Sequence, residues 1–84
     1  MNQETRQQYS AIQTSIRGNI NAIRVLLMQV DTMNETVATI TDVATKAALD
    51  QSISNVYKSI NLLIDETENL FNSLQAVRES AVID

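Results

Sequence analysis

The acidic stretch Asp65-Glu66-Thr67-Glu68 is the densest group of side chains in the sequence that could bind a cation. The chain has no histidine and no cysteine, which excludes most nucleophile–base pairs and most transition-metal sites. A calcium loop needs spaced acids, a glycine and a terminal glutamate, and this pattern is absent. Helical di-iron sites need Glu-x-x-His pairs, which the chain cannot form. We therefore interpret the stretch as a solvated helix face.

The remaining groups with chemical potential also favour packing over catalysis. The single glycine, Gly18, cannot form a glycine-rich phosphate loop. The three aromatic residues, Tyr9, Tyr57 and Phe71, fall within or beside apolar helical patterns, as core side chains do. We predict that the chain is not an enzyme and that it holds no metal and no cofactor.

The charge balance and the hydropathy limit the classes of partner. Ten acids against six scattered bases give a net charge of −4, whereas phosphate binding needs clustered Lys and Arg. The longest uncharged apolar run, residues 25–28, is far shorter than the roughly 20 residues that span a bilayer. The polar N-terminus has no apolar signal core. We predict a protein partner, no nucleic acid, no membrane insertion and cytoplasmic synthesis, with signal-less export or incorporation into an assembly left open.

A heptad pattern organises the first half of the chain. Apolar residues recur with alternating steps of three and four from Tyr9 to Ala47, and such spacing places them on one side of an α-helix. Asn19 is the one polar residue in this seam, and a polar residue at such a position can fix register or oligomeric state. The first seam is Tyr9, Ile12, Ile16, Asn19, Ile23, Leu26, Val30, Met33, Val37, Ile40, Ala44 and Ala47.

A second seam follows, two residues out of phase with the first. It consists of Ile53, Val56, Ile60, Leu63, Thr67, Leu70, Leu74, Val77 and Ala81. Inserting three or four residues into a heptad repeat cannot produce an offset of two, so the mismatch indicates a turn. We predict a single all-α domain, 1–84, with helix 1 over about 8–48, a turn near 48–52 and helix 2 over about 52–82. One continuous or kinked helix of about 110 Å is the alternative.

The positions beside the seams indicate a bundle rather than a two-stranded zipper. With Tyr9 and Ile53 each labelled a, the flanking e and g positions of helix 1 contain one charged residue among twelve. Tyr57, Ile64 and Phe71 occupy three of the four e positions of helix 2. Such wide apolar faces are typical of multi-helix bundles, because a two-stranded coiled coil lines e and g with Glu and Lys.

We therefore predict a long antiparallel helical hairpin that packs as a multi-helix bundle or coiled coil in an oligomer. A lone hairpin would cover only part of each apolar face, so association with itself or with a helical partner is expected. The predicted interface comprises Tyr9, Ile12, Ile16, Asn19, Ile23, Leu26, Leu27, Val30, Met33, Val37, Ile40, Ile53, Val56, Tyr57, Ile60, Leu63, Ile64, Leu70, Phe71, Leu74 and Val77.

Two resemblances accompany this pattern. The stretch Leu74-Gln75-Ala76-Val77-Arg78-Glu79-Ser80-Ala81-Val82 resembles a helical stretch of bacterial flagellins over about a tenth of the chain. The size and hairpin layout are similar to those of the small helical partners exported by type VII secretion, but their Trp-x-Gly turn is absent because the chain has no tryptophan. No functional residue is carried over from either family.

Three hypotheses for the function follow. The first is a non-catalytic helical interaction or structural assembly module, such as a phage, secretion or filament component. The second is a small acidic regulator that blocks a partner protein by surface charge, with an affinity that falls as salt rises. The third is a sensory or fusion-type helical segment of a larger protein.

Overall fold

The computed structural model describes the backbone of residues 2–83 and the side chains of residues 2–81. Two α-helices, α1 (Gln3–Val37) and α2 (Val43–Ile83), pack against each other as an antiparallel hairpin with dimensions of 63 × 14 × 13 Å. The predicted all-helical hairpin is thus confirmed, and the continuous helix is not observed. Met1 and Asp84, which the predicted domain includes, lie outside the described residues.

The predicted position of the turn, 48–52, is wrong. The helices are joined by residues 38–42, so α1 ends about ten residues earlier than expected and α2 begins about nine residues earlier. Ala44 and Ala47, which were assigned to the first seam, lie on α2 and are exposed. Leu49, in phase with the second seam, is half-buried instead. Alanine fits seam and surface positions equally well, which is why the first pattern seemed to continue past the real turn.

Local side-chain chemistry explains why the turn forms without proline or glycine. Thr36, Val37, Thr39, Ile40 and Thr41 are β-branched, and such residues have low helix propensity because their χ1 freedom is restricted. Two tight backbone bonds close the last turn of α1, from Thr39 N to Thr36 O at 3.0 Å and from Ile40 N to Val37 O at 3.1 Å. The Thr39 hydroxyl also donates to Thr36 O at 2.7 Å. These bonds satisfy carbonyl groups that the helix end leaves free.

Both helices begin at a residue whose side chain caps the first turn. Asn2 Oδ1 accepts a hydrogen bond from the Thr5 N–H at 2.8 Å, and Asp42 Oδ2 accepts one from the Thr45 N–H at 2.9 Å. The Asp42 carboxylate also accepts a bond from the Thr45 hydroxyl. Short polar side chains at the N-cap satisfy N–H groups that have no partner within the helix. Asp42 is therefore the cap that starts the second helix.

We expect Asp42→Ala to lower the melting temperature by several degrees at pH 7 and by less in acid, where only an uncharged cap is lost. The bond from the Thr45 hydroxyl, then that from its N–H, lower the pKa of Asp42 below its ordinary value of 3.8, and burial opposes this only weakly. A carboxyl group whose pKa is lowered by folding stabilises the protein above its unfolded pKa. That stabilisation is lost as the pH falls through the folded value.

Thermal unfolding followed by circular dichroism between pH 7 and pH 2 tests this prediction. Asp42→Asn is the matched control, because the amide oxygen still caps the helix but carries no titrating charge. Its difference from the wild type should be smaller than that of Asp42→Ala at pH 7. An Asp42→Ala deficit that stayed constant down to pH 2 would contradict the assigned role of the carboxylate.

The seams meet at the contact between α1 and α2, and the buried cluster gives their register. Val30, Ile53 and Ile60 form one buried cluster. Ile53 and Ile60 are two helical turns apart on α2, too far to contact each other, so Val30 of α1 must connect them. Val30 therefore lies between them, level with Val56. Counting away from this pair in opposite directions places Asn19 level with Thr67, since both are eleven residues away. The antiparallel layers therefore alternate a positions of one helix with d positions of the other.

Gly18 lies on the exposed surface of α1 and has no structural requirement for glycine within the hairpin. A Cβ atom built at this position meets no atom within 4 Å, and the backbone of Gly18 is not in the left-handed region. We expect Gly18→Ala to raise the free energy of unfolding by about 1 kcal/mol, because alanine loses less backbone entropy in a helix. Urea denaturation at constant protein concentration measures the change. A loss of stability would indicate that a second chain packs closely against this position.

Candidate interaction surface

Most of the predicted interface residues lie between the two helices of one chain. Val30, Ile53 and Ile60 form the buried cluster, and Ile23, Leu26, Met33, Val37 and Val56 pack against it. The other predicted seam positions are buried or half-buried: Tyr9, Ile12, Ile16, Asn19, Ile40, Leu63, Leu70, Leu74 and Val77. Thr67, a seam position left out of the predicted interface, is also buried. Both seams are therefore occupied by the intramolecular contact.

The predicted interface residues that the hairpin does not cover all belong to e positions. Leu27 is 45% exposed, Tyr57 45%, Ile64 39% and Phe71 51%. Ile20, another e position, is 41% exposed, although it was not included in the predicted interface. Its heptad position was the signal that could have identified it. We call Ile20, Leu27, Tyr57, Ile64 and Phe71 the apolar stripe.

The members of the apolar stripe come from both helices and lie on one side of the hairpin. When two antiparallel helices pack through a and d positions, the e positions of one helix flank those of the other, and the g positions do likewise on the opposite side. The register given by Val30 and Val56 orders the stripe along the hairpin as Phe71, Ile20, Ile64, Leu27 and Tyr57. The residues thus alternate between α2 and α1 near the middle of the molecule.

Charged residues border the apolar stripe, with opposite signs on its two edges. Arg17, Arg24 and Asp31 occupy successive b positions of α1, just outside the stripe, and all three are exposed. On α2 the corresponding b positions hold Asn61 and Glu68, also exposed. Arg17 is thirteen residues before Val30 and Glu68 is twelve after Val56, so these two residues lie at nearly the same level. The α1 edge is therefore basic where the α2 edge is acidic.

The side chains on the opposite side of the hairpin are smaller and more polar than those of the apolar stripe. Its g positions include Ser15, Gln29, Ser59, Glu66 and Ser73. Val25 and Met28 of α1 are 55% and 64% exposed there, and Leu62 of α2 is 70% exposed. A shallow open groove on this side of α1 is lined by Val25, Met28, Gln29, Thr32 and Met33. Among the described residues, the g positions between Val25 and Leu62 carry small or polar side chains, so these apolar residues form no continuous row across the two helices as the stripe does.

The acidic stretch on α2 does not form a metal site. Asp65, Glu66 and Glu68 are exposed and spread around the outer part of the helix. Within residues 2–83, no three His, Cys, Asp or Glu side chains come together as ligands for a metal ion. Thr67, in the middle of the stretch, points into the helix contact, where its hydroxyl donates to Leu63 O at 2.6 Å. The stretch thus combines three solvated acids with one core residue.

The helix contact contains one polar layer. Thr67 is 7% exposed, and the Nδ2 group of Asn19, at the same level, is shielded from solvent. Among the described residues, Asn19 Nδ2 has no hydrogen-bond partner. A buried amide without a partner costs stability, so this layer is a weak point in an otherwise apolar seam.

Neither helix, over the part of the chain that the structure describes, is long and apolar enough to cross a membrane. No family model matches the chain, and no curated protein and no solved structure shows significant similarity to it.

Proposed function

We propose that this chain is a non-catalytic helical interaction module that assembles into a multi-helix bundle through the apolar stripe. The observation that supports this proposal is the row of five large side chains that the hairpin leaves 39–51% exposed on one side. A contiguous apolar surface with a polar rim is typical of a protein interaction site. Tyr57 and Phe71 also belong to the aromatic class that interfaces favour over the rest of the surface.

The thin core of the isolated hairpin gives an energetic reason to associate. Ile16, Val30, Ile53 and Ile60 are the buried apolar side chains among the described residues, and of these only Val30 is fully enclosed. Covering the half-exposed side chains of the stripe would contribute about 1 kcal/mol each, or roughly 5 kcal/mol per chain. That gain is comparable to the whole stability expected of a small domain. Small scaffolds without disulfides or metals commonly obtain the missing stability from oligomerisation.

The test compares two leucines that are both exposed and lie on opposite sides of the hairpin. Leu27 is in the apolar stripe, and Leu62 is 70% exposed on the smaller-residue side. Light scattering across a dilution series gives the mass, and far-UV circular dichroism gives the helicity at each concentration. We expect a helical oligomer that dissociates on dilution. Leu27→Asp should abolish it, whereas Leu62→Asp should leave its mass unchanged.

Each alternative outcome has a distinct meaning. A well-folded monomer at all concentrations would overturn the proposal. A poorly helical or aggregating monomer would indicate that the stripe requires a different helical protein, which is the heteromeric form of the same proposal. Association that weakens steeply with added salt and is insensitive to Leu27→Asp would favour the acidic regulator, which binds by surface charge.

A further inference from the structure

We infer that the occupant of the apolar stripe is a second copy of this chain, related by a two-fold axis parallel to the helices. This inference rests on the proposed function and specifies its partner and geometry. In this arrangement α1 of one copy lies against α2 of the other, so that all neighbouring helices of the resulting four-helix bundle are antiparallel. The turns of both copies are at the same end. Such an interface is isologous, because the same surface is used by both chains.

The size of the stripe side fits a stable dimer. The hairpin is 63 Å long and 13–14 Å across, so one side offers about 850 Å², close to the roughly 800 Å² per partner of a standard interface. The apolar stripe occupies the middle of this side, with polar residues at both ends. An apolar centre surrounded by a polar rim is the usual anatomy of such interfaces. A second copy of this hairpin is therefore large enough to cover the whole stripe side.

The charges on the edges of the stripe favour this two-fold arrangement. An axis parallel to the helices keeps every residue at its own level and exchanges the α1 edge for the α2 edge. Arg17 of one copy then faces Glu68 of the other, because these residues lie at nearly the same level on opposite edges. Arg24 faces Asn61, which has no charge. The symmetry repeats both contacts, so each dimer has two pairs of opposite charge across its interface.

The other two-fold arrangement of the same side has the less favourable charge contacts. An axis across the helices would stack α1 on α1 and α2 on α2. Arg24 would then lie near Arg24 of the second copy, although Asp31 would lie near Arg17. Glu68 would face no basic residue, because the b positions of α2 contain none. Like charges placed opposite each other suppress an otherwise compatible pairing. The apolar stripe permits both arrangements, and the pairing of Arg17 with Glu68 favours the first.

Charge reversal tests the inference in the full chain. Arg17→Glu and Glu68→Arg each convert two attractive pairs into two repulsive ones. Each variant alone should form a dimer about tenfold weaker at low salt. Mixing the two variants should restore wild-type affinity, because every cross-chain pair in the mixed dimer is again of opposite charge. Sedimentation of each variant, and of the mixture with one component fluorescently labelled, measures these affinities. Raising the salt should reduce all the differences.

The outcomes separate this inference from the proposed function. Restoration in the mixture supports the geometry, since a contact within one chain cannot be repaired by mixing. Weakening that is repaired only by combining both substitutions in one chain would overturn it. Unchanged dimers of both single variants, alongside a disruptive Leu27→Asp, would also overturn it while leaving the proposed function intact. A well-folded wild-type monomer would overturn both. A poorly helical wild-type monomer would overturn this inference alone.

Discussion

Val30→Asp is expected to remove most of the stability of the protein and to bring it close to its unfolding midpoint at room temperature. Val30 is 1% exposed, and it joins Ile53 and Ile60 into the buried cluster between the helices. A carboxylate at this position would have no basic partner, because the surrounding layer is apolar. An unpaired buried charge destabilises by about 3–5 kcal/mol. That loss approaches the total free energy of unfolding of a small domain.

Val25→Asp is the matched control for this substitution. Val25 lies on the same helix and is 55% exposed, so the same change in helix propensity occurs there without burying a charge. We expect Val25→Asp to alter the free energy of unfolding by no more than about 0.5 kcal/mol. Far-UV circular dichroism with urea titration distinguishes the two. Equal stabilities of the variants would contradict the placement of Val30 in the core.

The heptad spacing was sufficient to predict the hairpin and the face through which its helices pack. All the seam residues from Tyr9 to Ile40, and from Ile53 to Ala81, are buried or half-buried. Alternating steps of three and four residues place the apolar side chains on one side of each helix. Burial of that side determines which side faces the other helix. The two-residue phase offset was also a correct sign of a turn, since no simple insertion into a continuous heptad helix produces it.

The position of the turn could not be read from the same pattern. Ala44 and Ala47 continued the first seam by chance, and alanine carries little information about burial. The decisive signals were local ones: the β-branched run ending at Thr41, and Asp42 three residues before Thr45. A side chain that caps a helix identifies its start more specifically than apolar periodicity does. Helix boundaries therefore depended on hydrogen-bond chemistry, whereas the helix faces depended on burial.

The structure was also needed to separate the apolar residues that are enclosed between the helices from those that stay exposed on the surface. The sequence grouped seam residues and e residues into one predicted interface, because both lie on the apolar side of each helix. Once the helices pair, the seams are enclosed, and only residues such as Leu27 and Phe71 stay accessible. The antiparallel direction then brings e positions of both helices to one side. This pairing converts two separate rows into one surface, whose opposite edges carry Arg17 and Glu68.

Asn19→Leu is expected to stabilise the hairpin by about 1–2 kcal/mol, which raises the melting temperature by roughly 5–15 °C for a domain of this size. Leucine has nearly the shape of asparagine and is apolar. The substitution therefore removes a shielded amide whose Nδ2 has no hydrogen-bond partner among the described residues. It also adds apolar contacts at a seam position between Ile16 and Ile23. Thermal unfolding at fixed protein concentration measures the gain.

Thr67→Val is the control within the same polar layer. Comparing the two variants separates the effect of the unpaired Asn19 amide from the effect of removing any polar group from this layer. The Thr67 hydroxyl already donates to Leu63 O at 2.6 Å, so its removal should change the stability much less than Asn19→Leu does. A loss of stability in Asn19→Leu would contradict the prediction, because it would mean that the Asn19 amide has a hydrogen-bond partner in solution. If the prediction holds, the sequence retains a destabilising asparagine in its core. A polar seam residue of this kind fixes register at the expense of stability. In this hairpin it would keep Arg17 and Glu68 level, as the charge pairing across the two-fold axis requires.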